Sequence, residues 1–191
     1  MRKSSVRLLV LLLPVVAFAT SPTLAINPFI MAPPSLSAQQ RATFLTSQNP
    51  SLGQGFALNL ALLYEEEAAS EGVNTDLAFA QMCLETSYLR FGNQVRLGQY
   101  NFAGLGAVDG GSASLSFASP REGVRAQIQH LKYYASTLPL ANPPVNPRLD
   151  LVSRGRAPSL WQLAGTWASD PAYGQKLLAL LQRMHGHSPT P

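Results

Sequence analysis

One acidic side chain in the sequence has the surroundings that general acid catalysis requires. Glu85 is the only carboxylate in LAFAQMCLETSYLRFG (77–92), and it is the only charged residue between Asp76 and Arg90. Burying an unpaired charge is unfavourable, so an isolated Glu among apolar residues needs an explanation. Partial desolvation raises the pKa of a carboxyl group, as a proton donor at neutral pH requires. We therefore interpret Glu85 as the candidate catalytic acid, with an ordinary surface glutamate as the alternative that spacing leaves open.

The stretch around Glu85 is predicted to be a helix at the edge of the core. Asn74 or Thr75 can cap its start, and Gly92 is a suitable end. Residues four apart lie on one face of a helix, so Gln81 shares a face with Glu85, beside an apolar stripe. Both side chains are therefore expected to line a substrate cleft.

Other helices and one glycine-rich loop are predicted around this helix. The expected helical segments are 55–72, 121–136, 159–166 and 171–184, with a shorter helix near 38–44. Ser119, Pro120 and Glu122 have the N-cap, first-turn proline and capping-box pattern of a helix start. Residues 93–118 are rich in glycine, so we expect a loop with at most a small hairpin near 108–117. The predicted fold class is all-α, or α+β at most.

The N-terminal residues have the pattern of a secretory signal. Basic residues precede an apolar run from Leu8 to Ala19, and small residues follow. The run is shorter than the roughly 20 residues of a membrane-spanning helix, and Pro14 interrupts it. We expect a secreted, periplasmic or cell-envelope protein with no stable membrane span after signal removal. The predicted division is a signal peptide (1–25), a linker or N-terminal arm (26–52), a helical domain (53–185) and a tail (186–191).

Charge and cysteine content argue against several functional classes. The chain has 14 Lys and Arg against 10 Asp and Glu, and three of the basic residues lie in the first 25, which leaves 11 against 10. This balance, with no basic run interleaved with aromatics, does not support nucleic-acid binding. Cys83 is predicted to be a buried apolar side chain, and no residues have the spacing of a metal site. We expect no metal and no cofactor, and the sequence indicates no particular oligomeric state.

Three motifs occur in succession along the helical region. They are AFAQMCLETSYLRFG (78–92), YNFAGLGA (100–107) and LAGTWASDPAYGQKLLAL (163–180). Together they resemble the glucosaminidase family of peptidoglycan hydrolases, glycoside hydrolase family 73, over most of residues 55–184. The resemblance implies a lysozyme-like helical fold. It also implies cleavage of the β-1,4 bond that follows N-acetylglucosamine in the glycan strands of peptidoglycan.

The resemblance implies roles for individual residues. Glu85 corresponds to the catalytic acid of the family, and Tyr173 corresponds to a tyrosine that lines the cleft near the scissile sugar. The segment YNFAG corresponds to an asparagine-rich loop that ends at Gly104. In this loop Asn101 is expected either to bind an acetamido group or to form a turn, and Phe102 either to stack on a sugar or to join the core.

The sequence departs from the family pattern at the second acidic residue. Many relatives carry one in the hairpin after the asparagine-rich loop, where Asp109 is the only acid of AVDGGSASLSFA. Three mechanisms stay open: Asp109 as a base for water, assistance by the 2-acetamido group of the substrate, and attack by water alone. A lytic transglycosylase and a non-catalytic glycan-binding or assembly protein of this fold are the alternatives. Trp161 and Trp167 are interpreted as structural, and His130 as a surface residue.

Overall fold

The computed structural model describes residues 26–92, 96–106 and 114–187. Within these ranges the regular structure is helical, with isolated bridges as its only β-structure, so the all-α prediction is confirmed. The helices are α1 (Ala38–Gln48), α2 (Gln54–Glu71), α3 (Thr75–Glu85), α4 (Pro120–Ala135) and α5 (Tyr173–Gly186), with short 3-10 turns at Leu97–Gln99 and Leu149–Leu151. None of these helices has the length and apolar content needed to cross a bilayer. The predicted signal peptide and most of the predicted hairpin lie outside the described residues.

Helix α3 is the buried centre of the domain. All residues of the range 75–83 are buried, and α1, α2, α4 and α5 pack against the helix. This position explains the near absence of charge, because a charged side chain here would need a partner. Asn74 caps the helix, as predicted, since its side-chain oxygen accepts a hydrogen bond from the backbone N–H of Asp76 at 3.0 Å. Cys83 is buried as expected, and this burial raises the pKa of its thiol.

Helix α3 ends at Glu85, earlier than the predicted end at Gly92. Ser87, Tyr88 and Leu89 have positive φ angles of 49°, 58° and 60°, which a helix does not allow. The apolar pattern continues through this turn because Leu89 still packs into the core, and this continuity made the helix look longer. Glu85 therefore lies at the C-terminal end of α3, where the helix dipole disfavours a negative charge.

The segment 26–52 packs against the helices as an arm rather than as a free linker. Helix α1 extends beyond the predicted 38–44, and its buried apolar residues are Ala38, Ala42, Phe44 and Leu45. Arg41 is fully buried, and its Nη1 donates to Asp76 Oδ1 at 2.8 Å. Its other terminal nitrogen contacts Glu65 on α2. This charged contact fixes the arm to two helices at once.

Helix α4 begins as predicted and holds the loop that precedes it. Ser119 Oγ accepts a hydrogen bond from the N–H of Glu122 at 3.2 Å, and the Glu122 carboxylate accepts one from the N–H of Ala118 at 3.1 Å. A Cβ added at Gly123 would lie 1.7 Å from the carbonyl oxygen of Tyr100. The loop can therefore contact α4 this closely only because residue 123 is glycine.

The helix predicted at 159–166 is wrong. This segment forms turns and isolated bridges, and Gly165 has a φ of 82°. The N-terminal arm pairs with this segment through the backbone, since the Leu160 N–H donates to the carbonyl of Pro28 at 2.9 Å. The segment is therefore held as an irregular strap that leads to the start of α5.

The buried contact between Arg41 and Asp76 predicts a large effect on stability. Asp76→Ala leaves a fully buried guanidinium without its partner on α3, and we expect a loss of about 3–5 kcal/mol in the free energy of unfolding. Urea unfolding followed by circular dichroism measures this loss in the free energy of unfolding. Glu66→Ala is the control, because its surface pair with Arg121 should contribute at most ~1 kcal/mol. Equal losses in the two variants would contradict a role for the buried pair.

Candidate active site

Glu85 receives two hydrogen bonds from the last of the three sequence motifs. Trp167 Nε1 donates to Glu85 Oε1 at 3.1 Å, and the hydroxyl of Tyr173 donates to the same oxygen. Trp167 was expected to be structural, so its contact with the candidate acid is new. The sequence does place Trp167 in WASDPAY, the same short motif that contains Tyr173, and this proximity could have indicated the contact.

The surroundings of Glu85 favour its protonated form. Glu85 is an exposed residue as a whole, but the protein atoms around its carboxyl desolvate that group and raise its pKa above the ordinary value of 4.5. The hydrogen bonds from Tyr173 and Trp167 lower the pKa and offset part of this rise. The C-terminal end of α3 adds a further unfavourable field for the carboxylate. Glu85 therefore has the properties of a proton donor.

The two oxygens of Glu85 have different environments. Oε1 accepts both hydrogen bonds, whereas Oε2 accepts none from the described part of the chain. Oε2 lies near Gly104, where an added Cβ would be 3.8 Å away, and Gly104 has a φ of 65° that other residues rarely adopt. Because Oε1 already accepts two hydrogen bonds, Oε2 is the oxygen with room for a proton when the carboxyl is protonated.

Gln81 is completely buried and contacts Tyr173 rather than the surface. Its Nε2 donates to the Tyr173 hydroxyl at 3.1 Å. Tyr173 is also buried, and this burial together with the charge of Glu85 raises the pKa of its hydroxyl. The hydroxyl therefore stays protonated and acts as a donor to Glu85. The predicted proximity of Gln81 to the candidate acid is indirect, through Tyr173.

Asn101 and Phe102 fold the loop that leads to Gly104. Asn101 is fully buried, and its amide nitrogen donates to the carbonyls of Leu105 at 2.8 Å and Leu115 at 3.0 Å. Asn101 was expected either to bind an acetamido group or to form a turn, and these bonds to backbone carbonyls are those of a turn-forming residue. Phe102 is 1% exposed, so its ring belongs to the core and offers no face for a sugar to stack on.

His130 lies beside Trp167 and is buried, so its predicted surface position is wrong. Its ring packs edge-on against the Trp167 indole, with centroids 5.7 Å apart. Asn146 Nδ2 lies 2.8 Å from His130 Nδ1, and because an amide nitrogen only donates, the imidazole proton is on Nε2. Burial lowers the pKa of His130 to about 4. A neutral histidine therefore supports the indole that contacts Glu85.

Most other acidic side chains of the described residues are engaged elsewhere. The acids paired with Arg or Lys are Glu65, Glu66, Glu67, Glu71, Asp76 and Asp170. Glu122 caps α4. Asp109, the candidate base, lies outside the described residues. In the described ranges, no three His, Cys, Asp or Glu side chains are close enough together to hold a metal ion.

Comparison with known proteins gives the same family as the motifs. Residues 61–186 match the family described as glucosaminidase, mannosyl-glycoprotein endo-beta-N-acetylglucosaminidase. The chain is also 38% identical over 154 residues to an uncharacterized protein of Borreliella burgdorferi, an alignment that covers 81% of this chain and 76% of the relative. No solved structure matches the chain. The matched range includes the acid, its two donors and the glycine beside Oε2, and the chain therefore belongs to the glucosaminidase family.

Proposed function

We propose that the protein is an exported peptidoglycan hydrolase that cleaves the β-1,4 bond between N-acetylglucosamine and N-acetylmuramic acid, with Glu85 as the general acid. The observation that carries the proposal is the asymmetric carboxyl of Glu85. Two donors on Oε1 leave Oε2 to hold a transferable proton. Membership of the glucosaminidase family supplies the substrate class. This substrate requires an extracellular or envelope location, for which residues 1–25 would be the export signal.

The surroundings of Glu85 suit both states of a general acid. Before the reaction, desolvation raises the pKa of the carboxyl and so favours its protonated form. Oε2–H then donates to the glycosidic oxygen as the C1–O bond breaks, and Glu85 becomes a carboxylate. The hydrogen bonds from Trp167 and Tyr173 stabilise the charge that develops, because donors already in place need no reorganisation. The chain itself can therefore supply the proton and stabilise the resulting anion.

The second step requires a group that stabilises or attacks the electron-poor C1 carbon. Asp109 can activate water for this step, the 2-acetamido oxygen of the substrate can assist, or water can attack alone. Asp109→Asn separates these routes, since a large loss of activity assigns the step to Asp109 and unchanged activity excludes it. Hydrolysis by any of these routes ends with a reducing N-acetylglucosamine, whereas a transglycosylase would leave 1,6-anhydro-muramic ends.

Replacement of Glu85 tests the proposed acid. We expect Glu85→Gln to lower the release of soluble fragments from purified peptidoglycan by about 10²–10⁴-fold, because the amide keeps the shape but has no acidic proton. Mass spectrometry of the wild-type digest should show reducing-end N-acetylglucosamine. Glu66→Gln removes an exposed acid on α2 and should retain activity.

Two results would count against the proposal. Turnover by Glu85→Gln near the wild-type rate would exclude Glu85 as the acid. Glycan binding by the wild-type protein with no soluble product would indicate a non-catalytic protein of this fold.

The raised pKa of Glu85 predicts the alkaline limit of activity. A general acid must be protonated, so kcat/KM should fall as the pH rises through the Glu85 pKa, which lies above 4.5. Tyr173→Phe removes a donor that favours the carboxylate, so it should raise this pKa further and move the alkaline limb to higher pH. Tyr133→Phe, which removes the hydroxyl of a ring that stacks with Arg154, is the control. A limb that moves to lower pH in Tyr173→Phe would contradict the claim that the hydrogen bond from Tyr173 lowers the pKa of Glu85.

A further inference from the structure

A continuous chain of hydrogen bonds runs from Glu85 into the core of the domain. Tyr173, which donates to Glu85, receives a hydrogen bond from Gln81 Nε2 at 3.1 Å. Gln81 Oε1 receives one from Gln127 Nε2 at 2.9 Å, and Gln127 Oε1 receives one from the hydroxyl of Tyr64. Tyr64, Gln81 and Gln127 are completely buried. The chain therefore links the acid at the end of α3 to side chains on α2 and α4.

The direction of this chain is fixed at Gln127. Its Nε2 also donates to the backbone carbonyl of Ala78 at 3.0 Å, and a carbonyl only accepts, so this side of the amide must be the NH₂ group. The second N–H of Gln127 then requires Gln81 to present Oε1. Gln81 consequently presents Nε2 to Tyr173. Because Tyr173 receives this donor, its single O–H proton is directed at Glu85.

We propose that Gln127 is a positioning residue for the catalytic carboxyl. By fixing the Gln81 amide, it makes Tyr173 a donor to Glu85 Oε1 and so keeps the acid proton on Oε2. If the Gln81 amide flipped, so that its oxygen and nitrogen exchanged places, Tyr173 would donate to Gln81. Glu85 Oε1 would then lose one of its two donors. The inference rests on the proposed role of Glu85 and extends that role to α4, through two intermediate side chains.

The composition of this part of the core supports a role beyond packing. An apolar residue at position 127 would fill the space without polar atoms that need partners, whereas a buried amide is unfavourable unless its bonds are made. Here the amide of Gln127 makes three hydrogen bonds, to Ala78, Gln81 and Tyr64. Burial raises the pKa of Tyr64, so its hydroxyl stays a donor. Each member of the chain thus has one fixed orientation.

Gln127→Met tests the proposal. Methionine approximates the volume of the glutamine side chain but donates no hydrogen bond, so the Gln81 amide becomes free to flip. The pKa of Glu85, read from its ¹³C-labelled carboxyl in an NMR titration, should rise, because the carboxylate loses a donor. The rise should not exceed that of Tyr173→Phe, and the alkaline limb of kcat/KM should move in the same direction. The titration does not depend on turnover, so its result stands even if the proposed activity fails.

Tyr64→Phe is the matched control within the same chain. It also removes one buried hydrogen bond, but it leaves the contact between Gln127 and Ala78, so the amide keeps its orientation. It should lower stability without moving the Glu85 pKa. The double variant Gln127→Met/Tyr173→Phe should titrate like Tyr173→Phe alone, because both changes act on one hydrogen bond.

Three results would overturn the proposal. They are an unchanged Glu85 pKa in folded Gln127→Met, an equal shift in Tyr64→Phe, and additive shifts in the double variant. If Gln127→Met does not fold, Gln127→Leu gives the same measurement, since leucine also has no group that can donate a hydrogen bond to Gln81. An unchanged Glu85 pKa in that variant would equally reject the role of Gln127.

Discussion

The two hydrogen bonds that Trp167 and Tyr173 donate to one oxygen of Glu85 are the interaction on which the rest of the structure depends. They make the two oxygens of a flexible carboxyl unequal, with one that accepts and one that can carry a proton. To form them, the end of α3, the irregular strap before α5 and the first turn of α5 must meet within hydrogen-bond distance. The burial of α3 among four other helices supplies the rigidity that this meeting requires.

Desolvation and hydrogen bonding act on Glu85 in opposite directions. Desolvation dominates and keeps the pKa raised, while the two donors limit the rise. A carboxyl with desolvation alone would hold its proton but would form a poorly stabilised anion after transfer. One with strong donors alone would be ionised at neutral pH and would have no proton to give. The combination suits a group that must occupy both states in each catalytic cycle.

Local patterns predicted the parts of the fold that depend on local contacts. Asn74 and Ser119 cap their helices as expected, since a cap involves residues only a few positions away. Glu85 was predicted as the candidate acid from its uncharged surroundings and its motif. Gln127 could not be recognised, because a glutamine in a helix resembles a surface residue, and its partners Gln81 and Tyr64 lie 46 and 63 positions away in sequence. The role of Trp167 and the missing helix at 159–166 depend on equally distant contacts.

Digestion of purified peptidoglycan in oxygen-18 water tests the central claim most directly. The account predicts one oxygen-18 atom at the reducing-end N-acetylglucosamine of each new fragment, because water attacks C1 after Glu85 protonates the leaving oxygen. It also predicts that Glu85→Gln releases almost no labelled fragment. Unlabelled 1,6-anhydro-muramic ends, or labelled fragments released by Glu85→Gln at the wild-type rate, would contradict it.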